Sequence, residues 1–401
     1  MITRKASVPF IFATIFLDSL GIGIIMPILP DLLRRFSTDI GFVSKYLGFF
    51  ISSYALMQFI FSPILGTLSD RFGRRPILLA SLFGAAFDYL IMAFAPNLLI
   101  LFIGRVIAGM TGASFTVATA YMADISDDTN RSANFGMIGA AFGLGFIVGP
   151  ALGGIIGHYG ASTPFIAAAV LNLLNFAFGY FVLPESLATE NRRRVEVRKM
   201  NPFSSLAKAF TTPGIAMFVW VYILLYLAGN VHPSVWTLYS ELKFGWTPLQ
   251  VGLSLACVGV TMALVQGWLI RIVMPMWGES KALVIGCLIE TVSFIAFALA
   301  TEGWMIYAII IPGALAGIAG PAIQSIITKQ TPADRQGEMQ GSLVGLASIT
   351  AIVAPLGYTM VFAKFSRPDA PLVFLGMPYM IAAAIAASSL IFLYAGRATT
   401  K

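Results

Sequence analysis

The stretch Gly66-Thr67-Leu68-Ser69-Asp70-Arg71-Phe72-Gly73-Arg74-Arg75-Pro76 is the densest cluster of charge in the first quarter of the chain. Long apolar runs lie on both sides of it, from Tyr46 to Leu68 and from Ile77 to Ala95. About 20 apolar residues cross the hydrocarbon core of a bilayer. The stretch is therefore predicted to be a short loop between two membrane-spanning helices, held on the cytoplasmic side by its arginines.

Single residues of this loop have their own expected roles. Gly66 and Gly73 permit close helix approach and a turn with positive φ. Asp70 can accept hydrogen bonds from free amides at the N-terminus of a neighbouring helix. Together with Arg71 and Arg74, these residues are the predicted gate. The alternative is a loop that serves only to place positive charge in the cytoplasm.

The spacing Gly66-x-Leu68-x-Asp70-Arg71-x-Gly73-Arg74-Arg75 resembles the loop 2–3 signature of the major facilitator superfamily. This resemblance implies an all-α integral membrane protein. Its twelve transmembrane helices are expected to form two six-helix halves around a central cavity.

Composition supports a membrane protein. The chain of 401 residues is 58% hydrophobic and 11% charged, with a mean hydropathy of +0.85, whereas soluble domains carry about 25% charged residues. A net charge of +7 would suit nucleic acid, but 18 of the 25 Lys and Arg residues fall on the predicted cytoplasmic side. The charge therefore reflects topology with both termini in the cytoplasm, and we expect no nucleic-acid partner.

The apolar runs predict twelve spans. They cover roughly residues 8–33, 44–68, 77–95, 97–121, 132–158, 163–183, 213–239, 247–274, 281–300, 303–328, 336–363 and 371–396. The one long polar interruption, residues 184–212, is predicted to be a cytoplasmic linker. It divides an N-terminal six-helix half, residues 1–183, from a C-terminal half, residues 213–401.

The two halves repeat weakly. Three positions recur at a shift of 205 residues: Gly73 with Gly278, Gly112 with Gly317, and Pro150 with Pro355. Near the same shift, the position of Asp70 is taken by Pro275. Parallel repeats of six spans fit the expected architecture.

The fifth span carries glycines on one face. Gly145, Gly149 and Gly153 allow backbone-to-backbone packing, and Pro150 favours a bend because it removes an internal hydrogen bond. Tight packing alone is a sufficient explanation. The run also resembles the antiporter motif of drug-exporting major facilitators, which implies a gating role for Gly149 and Pro150.

Three carboxylates lie deep within predicted spans. Asp18, Asp88 and Glu290 are each roughly 14–17 Å from the cytoplasmic end of their helix, where a charge is costly unless it faces water or a partner. Small and polar residues share their faces and are expected to line the cavity: Thr14 on span one; Ser81, Gly84 and Ala85 on span three; Gly286 and Ser293 on span nine. Such carboxyl groups can be protonated when closed off and deprotonated when exposed, which suits exchange of a proton for a cationic or metal-chelated substrate. A structural hydrogen bond is the alternative for each.

Arg105 is the fourth candidate for proton coupling. It lies about 12 Å from the outer end of span four, and its stem can snorkel outward. However, Arg105-x-x-x-Gly109-x-x-Gly112 resembles the span-four motif of the same antiporters. That resemblance implies that the arginine takes part in proton coupling.

Aromatic and uncharged side chains are candidates for substrate binding. Tyr54 and Gln58 share a face of span two with Ser62, and Tyr226 shares one of span seven with Tyr222 and Asn230. Met262 and Gln266 lie on span eight. Taken singly, each such residue is more often a helix–helix contact than a ligand contact.

Several further stretches resemble the tetracycline/proton antiporters: Leu17-Asp18-x-x-Gly21-x-Gly23-x-x-x-Pro27-x-x-Pro30, Tyr54-Ala55-Leu56-Met57-Gln58-Phe59, Leu183-Pro184-Glu185-Ser186, Asp334-Arg335-Gln336-Gly337 and Gln340-Gly341-Ser342-Leu343. Two positions depart from that family. Met262 falls where it has a histidine, and Glu290 falls where it has an aspartate. The first departure puts tetracycline itself in question as a substrate.

The resemblance and the carboxylates predict a proton-coupled antiporter, a multi-pass monomer of the bacterial cytoplasmic (inner) membrane. It would export a small amphipathic drug by alternating access, with tetracycline the leading candidate, able to bind as a metal chelate. The proton gradient is the expected driving force, and no cofactor or metal site is expected, since Cys257 and Cys287 form no ligand cluster. Export of another drug or metabolite, or uptake by a symporter of the same fold, are the alternatives. We expect no enzyme, because no nucleophile–base pair or phosphate-binding loop is evident.

Overall fold

The chain folds into helices joined by short turns. A computed structural model describes residues 7–112, 114–127, 131–192, 201, 203, 210, 215–332 and 335–399. These residues contain α-helices, short 3₁₀ and π segments and turns, but no strand. The predicted all-α fold class is confirmed.

The helices of the first part of the chain are Ser7–Ile25, Leu29–Arg34, Ile40–Phe72, Arg74–Phe94, Leu98–Thr111, Ser114–Ile125, Arg131–Gly157 and Thr163–Val182. Those of the second part are Ala216–Gly229, Val231–Phe244, Pro248–Leu264, Ile270–Leu299, Gly303–Gly313, Ala319–Gln330, Gln336–Phe365 and Met377–Thr399.

Eleven segments within the described residues are long and apolar enough to cross a membrane. One of them, Pro248–Leu299, has 52 residues, and at about 1.5 Å per residue it is more than twice as long as a ~30 Å hydrocarbon core requires. Gly278 interrupts it with φ +71° and ψ 160°, so this segment holds two spans. The predicted number of twelve is therefore supported.

The spans are numbered in chain order. They are residues 7–34, 40–72, 74–94, 98–125, 131–157, 163–182, 216–244, 248–277, 279–299, 303–330, 336–365 and 377–399.

The boundaries of spans two and twelve are among those that differ from prediction. Span two runs from Ile40 to Phe72 instead of 44–68, because a helix can continue past its apolar run into polar surroundings. Span twelve begins at Met377 instead of 371. Before it, Pro368 lies in a turn and Pro371 in a bend, since proline lacks the N–H that a helix interior uses.

Five spans are interrupted where the sequence predicted continuous helix. Span one breaks after Ile25, span four at Gly112 and span seven at Asn230. Span eight contains the π segment Val265–Leu269, and span ten the 3₁₀ segment Ala314–Ile318. A shift of 205 residues places Ile25 on Asn230 and Gly112 within the 3₁₀ segment. The interruptions of spans one and seven, and of four and ten, therefore recur at equivalent positions.

The described residues form two compact units. The first is drawn from residues 1–36, 53–202 and 248–256, and the second from residues 37–52, 203–247 and 257–401. Each unit contains most of one predicted half. Residues 37–52 belong to the predicted N-terminal half but group with the second unit, and residues 248–256 belong to the predicted C-terminal half but group with the first. Much of the predicted linker, including residues 193–200 and 204–209, lies outside the described residues. The division into 1–183, 184–212 and 213–401 stays a prediction.

The first unit packs span one closely against span five. A Cβ atom on Gly149 would lie 2.7 Å from the carbonyl oxygen of Leu20, and one on Gly23 would lie 2.7 Å from Cδ of Pro150. The glycine face of span five thus meets the backbone of span one, as predicted. Around this contact lies a buried core that includes Phe10, Leu78, Tyr121 and Ile138.

The second unit has its own core, which is built from spans seven to twelve and includes Val219, Leu283, Ile323 and Leu343. The beginning of span two joins it. Ser52 Oγ donates a hydrogen bond to the carbonyl oxygen of Ile352 at 2.6 Å. A Cβ on Gly48 would lie 2.9 Å from the carbonyl oxygen of Pro355.

Candidate functional site

The first unit is organised around the interruption in span four. The helix Leu98–Thr111 ends at Gly112, and a new helix begins at Ser114. Glycine is a poor helix former, so the chain can open here at low cost. The freed carbonyl oxygen of Gly112 accepts a hydrogen bond from Gln58 Nε2 at 3.0 Å. Irregular backbone at this depth is tolerated where protein groups bind its polar atoms.

Asp18 lies at the same interruption. Its Oδ2 accepts a hydrogen bond from the hydroxyl of Ser114, the first residue of the restarted helix. The carboxylate therefore also stands near the positive end of that helix. Sequence reasoning did not single out Ser114. The available signal was a serine two residues after Gly112, since serine is favoured where helices begin.

Asp88 and Arg105 form a buried ion pair. Arg105 Nη1 lies 3.6 Å from Asp88 Oδ2, and the two side chains are 12% and 2% exposed. The guanidinium of Arg105 also lies over the Tyr54 ring, 5.1 Å from its centroid, close enough for a cation–π interaction. The guanidinium is thus held inside the unit, which argues against outward snorkelling.

The sequence contains a signal for this pair. Spans three and four are antiparallel neighbours joined by the turn at Pro96, and the two residues lie at similar distances from it along the chain. Helical rise alone places them at nearly the same depth. Our prediction considered each residue separately and missed the pairing.

The stripe on span three does not line a cavity as expected. Asp88 is buried, and a Cβ on Gly84 would lie 2.5 Å from the Thr111 side chain. A Cβ on Gly104 would lie 2.9 Å from Asp88 Oδ1, an atom with no hydrogen-bond partner among the described residues. The stripe is small and polar because span four packs directly on it.

The predicted shared face of span two is present and also packs on span four. Tyr54 contacts Arg105, Gln58 binds Gly112, and Ser62 shares a 2.9 Å hydrogen bond with Thr116. The first unit thus brings together Asp18, Asp88, Arg105, Tyr54 and Gln58 around one broken helix.

Glu290 lies at the interruption of span seven in the second unit. Its Oε1 is 3.8 Å from the position of a Cβ on Gly229, the last residue before the break. Asn230 Nδ2 donates to the carbonyl oxygen of Tyr226 at 2.7 Å and reaches Thr350 Oγ1 at 3.4 Å. Asn230 therefore closes the broken helix end.

Aromatic surface adjoins this break. The rings of Tyr222 and Tyr226 lie 4.4 Å apart, and Tyr226 is exposed while Tyr222 is buried. The predicted stripe on span nine packs on span ten. A Cβ on Gly286 would lie 2.8 Å from Ala319 Cβ, and one on Gly313 would lie 3.0 Å from Ser293 Oγ. As in the first unit, small residues serve helix packing, which corrects the expectation that they line a cavity.

Met262 and Gln266 meet the 3₁₀ segment of span ten. A Cβ on Gly317 would lie 3.0 Å from Sδ and Cε of Met262 and 3.7 Å from Nε2 of Gln266. Gln266 itself lies in the π segment of span eight. Departures from α geometry inside helices often mark functional hinges.

The signature loop holds a dense network. Gly73 has φ +105°, as its predicted turn requires. Arg74 binds Asp70 Oδ1 at 2.5 Å, Ser69 Oγ at 2.7 Å and Asp124 Oδ2 at 3.1 Å. Asp70 therefore contacts a side chain where we expected it to bind backbone amides.

Glu185, and not Asp70, binds backbone amides at a helix N-terminus. It accepts hydrogen bonds from the amides of Arg74 at 2.8 Å and Arg75 at 3.2 Å, at the start of span three. The predicted close approach at Gly66 is wrong, because a Cβ there would meet its nearest neighbour, Thr116, only at 3.9 Å. The exposed Arg71 stacks on the adjacent Phe72, 5.3 Å from the ring centroid.

Comparison with known proteins gives consistent results. The family model described as Major Facilitator Superfamily matches residues 11–355. The tetracycline resistance protein, class C, of Escherichia coli is 43% identical over 353 residues, which are 88% of this chain and 89% of that protein. The class G protein of Vibrio anguillarum is 40% identical over 347 residues, 86% and 88% of the two chains.

Solved structures show the same fold. The human organic anion transporter MFSD10 (TETRAN) matches with a TM-score of 0.71 and 22% identity, covering 97% of this chain and 99% of that one. The nucleoside transporter NupG matches with a TM-score of 0.78 and 13% identity, covering 98% and 99%. At these identities, the likeness concerns the fold alone.

Proposed function

Because the chain belongs to the Major Facilitator Superfamily, we propose that it exports tetracycline across the bacterial cytoplasmic membrane in exchange for protons. The observation that carries this proposal is the clustering of Asp18, Asp88 and Arg105 at the broken span four. Charged side chains inside a membrane mark ion and substrate pathways. The names of the tetracycline resistance relatives supply the substrate.

Proton coupling is assigned to Asp18, Asp88, Arg105 and Glu290. Asp88 offers a buried oxygen without a hydrogen-bond partner among the described residues, and such an atom is costly to leave unsatisfied. A proton on that oxygen would remove the charge of Asp88 and release Arg105 from its ion pair. Proton binding at Asp88 would thus let the Arg105 guanidinium bind a different group.

Substrate binding is assigned to Tyr54, Gln58, Tyr226, Asn230, Met262 and Gln266. Tyr226 supports this role most directly because its ring is exposed beside the broken end of span seven. An aromatic face suits stacking against a fused-ring drug. Tetracycline would enter as a complex with a divalent cation, whose positive charge suits Glu290. No other cofactor is proposed.

Gating is assigned to Gly66, Asp70, Arg71, Gly73, Arg74, Gly149 and Pro150. The halves 1–183 and 213–401, joined by the linker 184–212, would alternate access to a central cavity. The protein would act as a monomer with both termini in the cytoplasm. Export of another drug or metabolite and uptake are disfavoured, since the curated relatives reported above are named for tetracycline resistance.

The test uses inverted membrane vesicles that contain the full chain. An imposed pH gradient, acid inside, should drive accumulation of tetracycline with Mg²⁺, and a protonophore should abolish it. Vesicles without the protein are the control. Equal accumulation with and without the protein would refute the proposal.

A further inference from the structure

The start of span nine repeats the geometry of the signature loop. Gly278 has φ +71° and ψ 160°, and Gly73 has φ +105° and ψ 157°. The same shift of 205 residues that relates these glycines takes Arg74 to Glu279. In both places, a charged residue follows a glycine whose backbone conformation is nearly closed to other residues.

The partners of these two charged residues are equivalent as well. Arg74 Nε binds Asp124 Oδ2 at 3.1 Å, and Glu279 Oε1 binds Lys329 Nζ at 2.7 Å. The shift of 205 residues takes Asp124 to Lys329. Each pair therefore joins the start of one span to the end of the next, with the signs exchanged.

We propose that Glu279 and Lys329 are a positioning pair for the transport cycle, the charge-reversed counterpart of Arg74 and Asp124. The pair holds the start of span nine against the end of span ten. This role rests on the proposed transport function, although the pairing itself does not.

Helix dipoles explain why the signs are exchanged. A negative charge is favoured at a helix N-terminus and a positive one at a C-terminus. Glu279 follows the break at Gly278, and Lys329 lies in the last turn of Ala319–Gln330. Each charge of this pair therefore has the sign that its helix end favours. In the first unit, Arg74 begins its helix and Asp124 nearly ends one, so both charges are opposed.

The first unit adds negative groups that offset this mismatch. Asp70 and Glu185 place carboxylates beside Arg74 and its amide. At the position equivalent to Asp70 the second unit has Pro275. A pair whose signs match the helix dipoles does not need a carboxylate there, which accounts for its replacement.

The local packing gives the pair its positioning role. Ser325 Oγ also donates to Glu279 Oε1, one helical turn before Lys329, so the carboxylate bridges two turns of span ten. A cleft of about 600 Å³ lies beside the pair, lined also by Ile270, Met274 and Pro321. Glu279, Ser325 and Lys329 all line this cleft, so the polar contacts of Glu279 join the two helix ends along its edge, beside the apolar contact of Leu283 and Ile327 in the buried core.

The test measures kcat and KM for tetracycline with Mg²⁺ in vesicles for Lys329→Glu, Glu279→Lys and the double exchange. Each single reversal should lower kcat about three- to fivefold, the size of an exposed ion pair, with KM unchanged. The double exchange should recover only part of kcat, because its charges then oppose the dipoles. Lys281→Gln, an exposed charge two residues along, is the matched control and should leave kcat unchanged.

The remaining outcomes overturn the pair. They are kcat values equal to that of the unchanged protein, a KM change of the same size as the kcat change, or a double exchange no better than either single variant.

If the reversals prevent folding, Glu279→Gln and Lys329→Gln take their place. If the unchanged protein moves no tetracycline, the proposed function fails. In that case, thermal unfolding of Glu279→Gln, Lys329→Gln and the double variant tests the ion pair by itself. Additive losses of thermal stability would refute the pairing.

Discussion

The two units hold their membrane-embedded charges differently. In the first, Asp18 is bound by Ser114, and Asp88 is paired with Arg105 beneath Tyr54. In the second, Glu290 lies beside the broken end of span seven, next to the exposed Tyr226. Paired, buried charges are fixed in place, which suits a site that stores and releases protons. A half-buried carboxylate beside an aromatic break suits recognition of a cationic substrate.

The largest expected effect comes from removing these carboxylates. Asp18→Asn, Asp88→Asn and Glu290→Gln should fold but lose tetracycline accumulation driven by a pH gradient, because the neutral side chains cannot exchange a proton. Inverted vesicles with an imposed gradient provide the measurement. Expression at the level of the unchanged protein is the control. Full transport in all three variants would remove the proposed coupling residues.

The next effect separates a buried ion pair from an exposed one. Arg105→Leu leaves the buried Asp88 carboxylate unpaired and should cost about 3–5 kcal/mol of stability. Lys329→Gln, which breaks a pair whose lysine is 69% exposed, should cost no more than about 1 kcal/mol. Unfolding in detergent measures both. Adding Asp88→Asn to Arg105→Leu should restore most of the loss.

The sequence revealed the membrane-spanning character, the spans, the glycine face of span five and the deep carboxylates. It did not reveal the breaks at Gly112 and Asn230, because apolar patterning reports burial and not helix continuity. A break is tolerated only where another span satisfies its polar atoms, as Gln58 does for Gly112. That partner comes from a distant part of the chain, so local sequence cannot identify it.

The cap by Glu185 was missed for a similar reason. Its motif was noted as a family resemblance, yet its carboxylate acts on span three, more than a hundred residues earlier in the chain. The pairing of Asp88 with Arg105 was within reach of sequence reasoning, since a helical hairpin places the two residues at one depth.

A smaller effect compares the two loop glycines. Both have backbone angles open mainly to glycine, so Gly73→Ala and Gly278→Ala should each cost about 1–3 kcal/mol. The cost should be greater at Gly73, where a Cβ would collide with the Glu185 carboxylate, than at Gly278, where nothing lies within 4 Å. Thermal unfolding gives the ranking. When Glu185→Ala is added, that collision is removed, and the stability costs of Gly73→Ala and Gly278→Ala should become similar. A larger cost at Gly278 than at Gly73 in the otherwise unchanged protein would contradict the comparison.

The smallest effect concerns selectivity in the second unit. Met262 presents a flexible, uncharged and polarisable side chain against Gly317, close to Gln266. The tetracycline/proton antiporters that this chain resembles have a histidine here, and imidazole can donate a hydrogen bond and carry a proton near neutral pH. Met262→His should therefore raise transport of tetracycline relative to other aromatic cations by about threefold, the value of one modest hydrogen bond. Competition between tetracycline and an aromatic cation in vesicles measures the ratio, with Met262→Leu as the apolar control that leaves it unchanged. If the unchanged protein already transports tetracycline strongly and no other drug tested, Met262 does not set selectivity in this way.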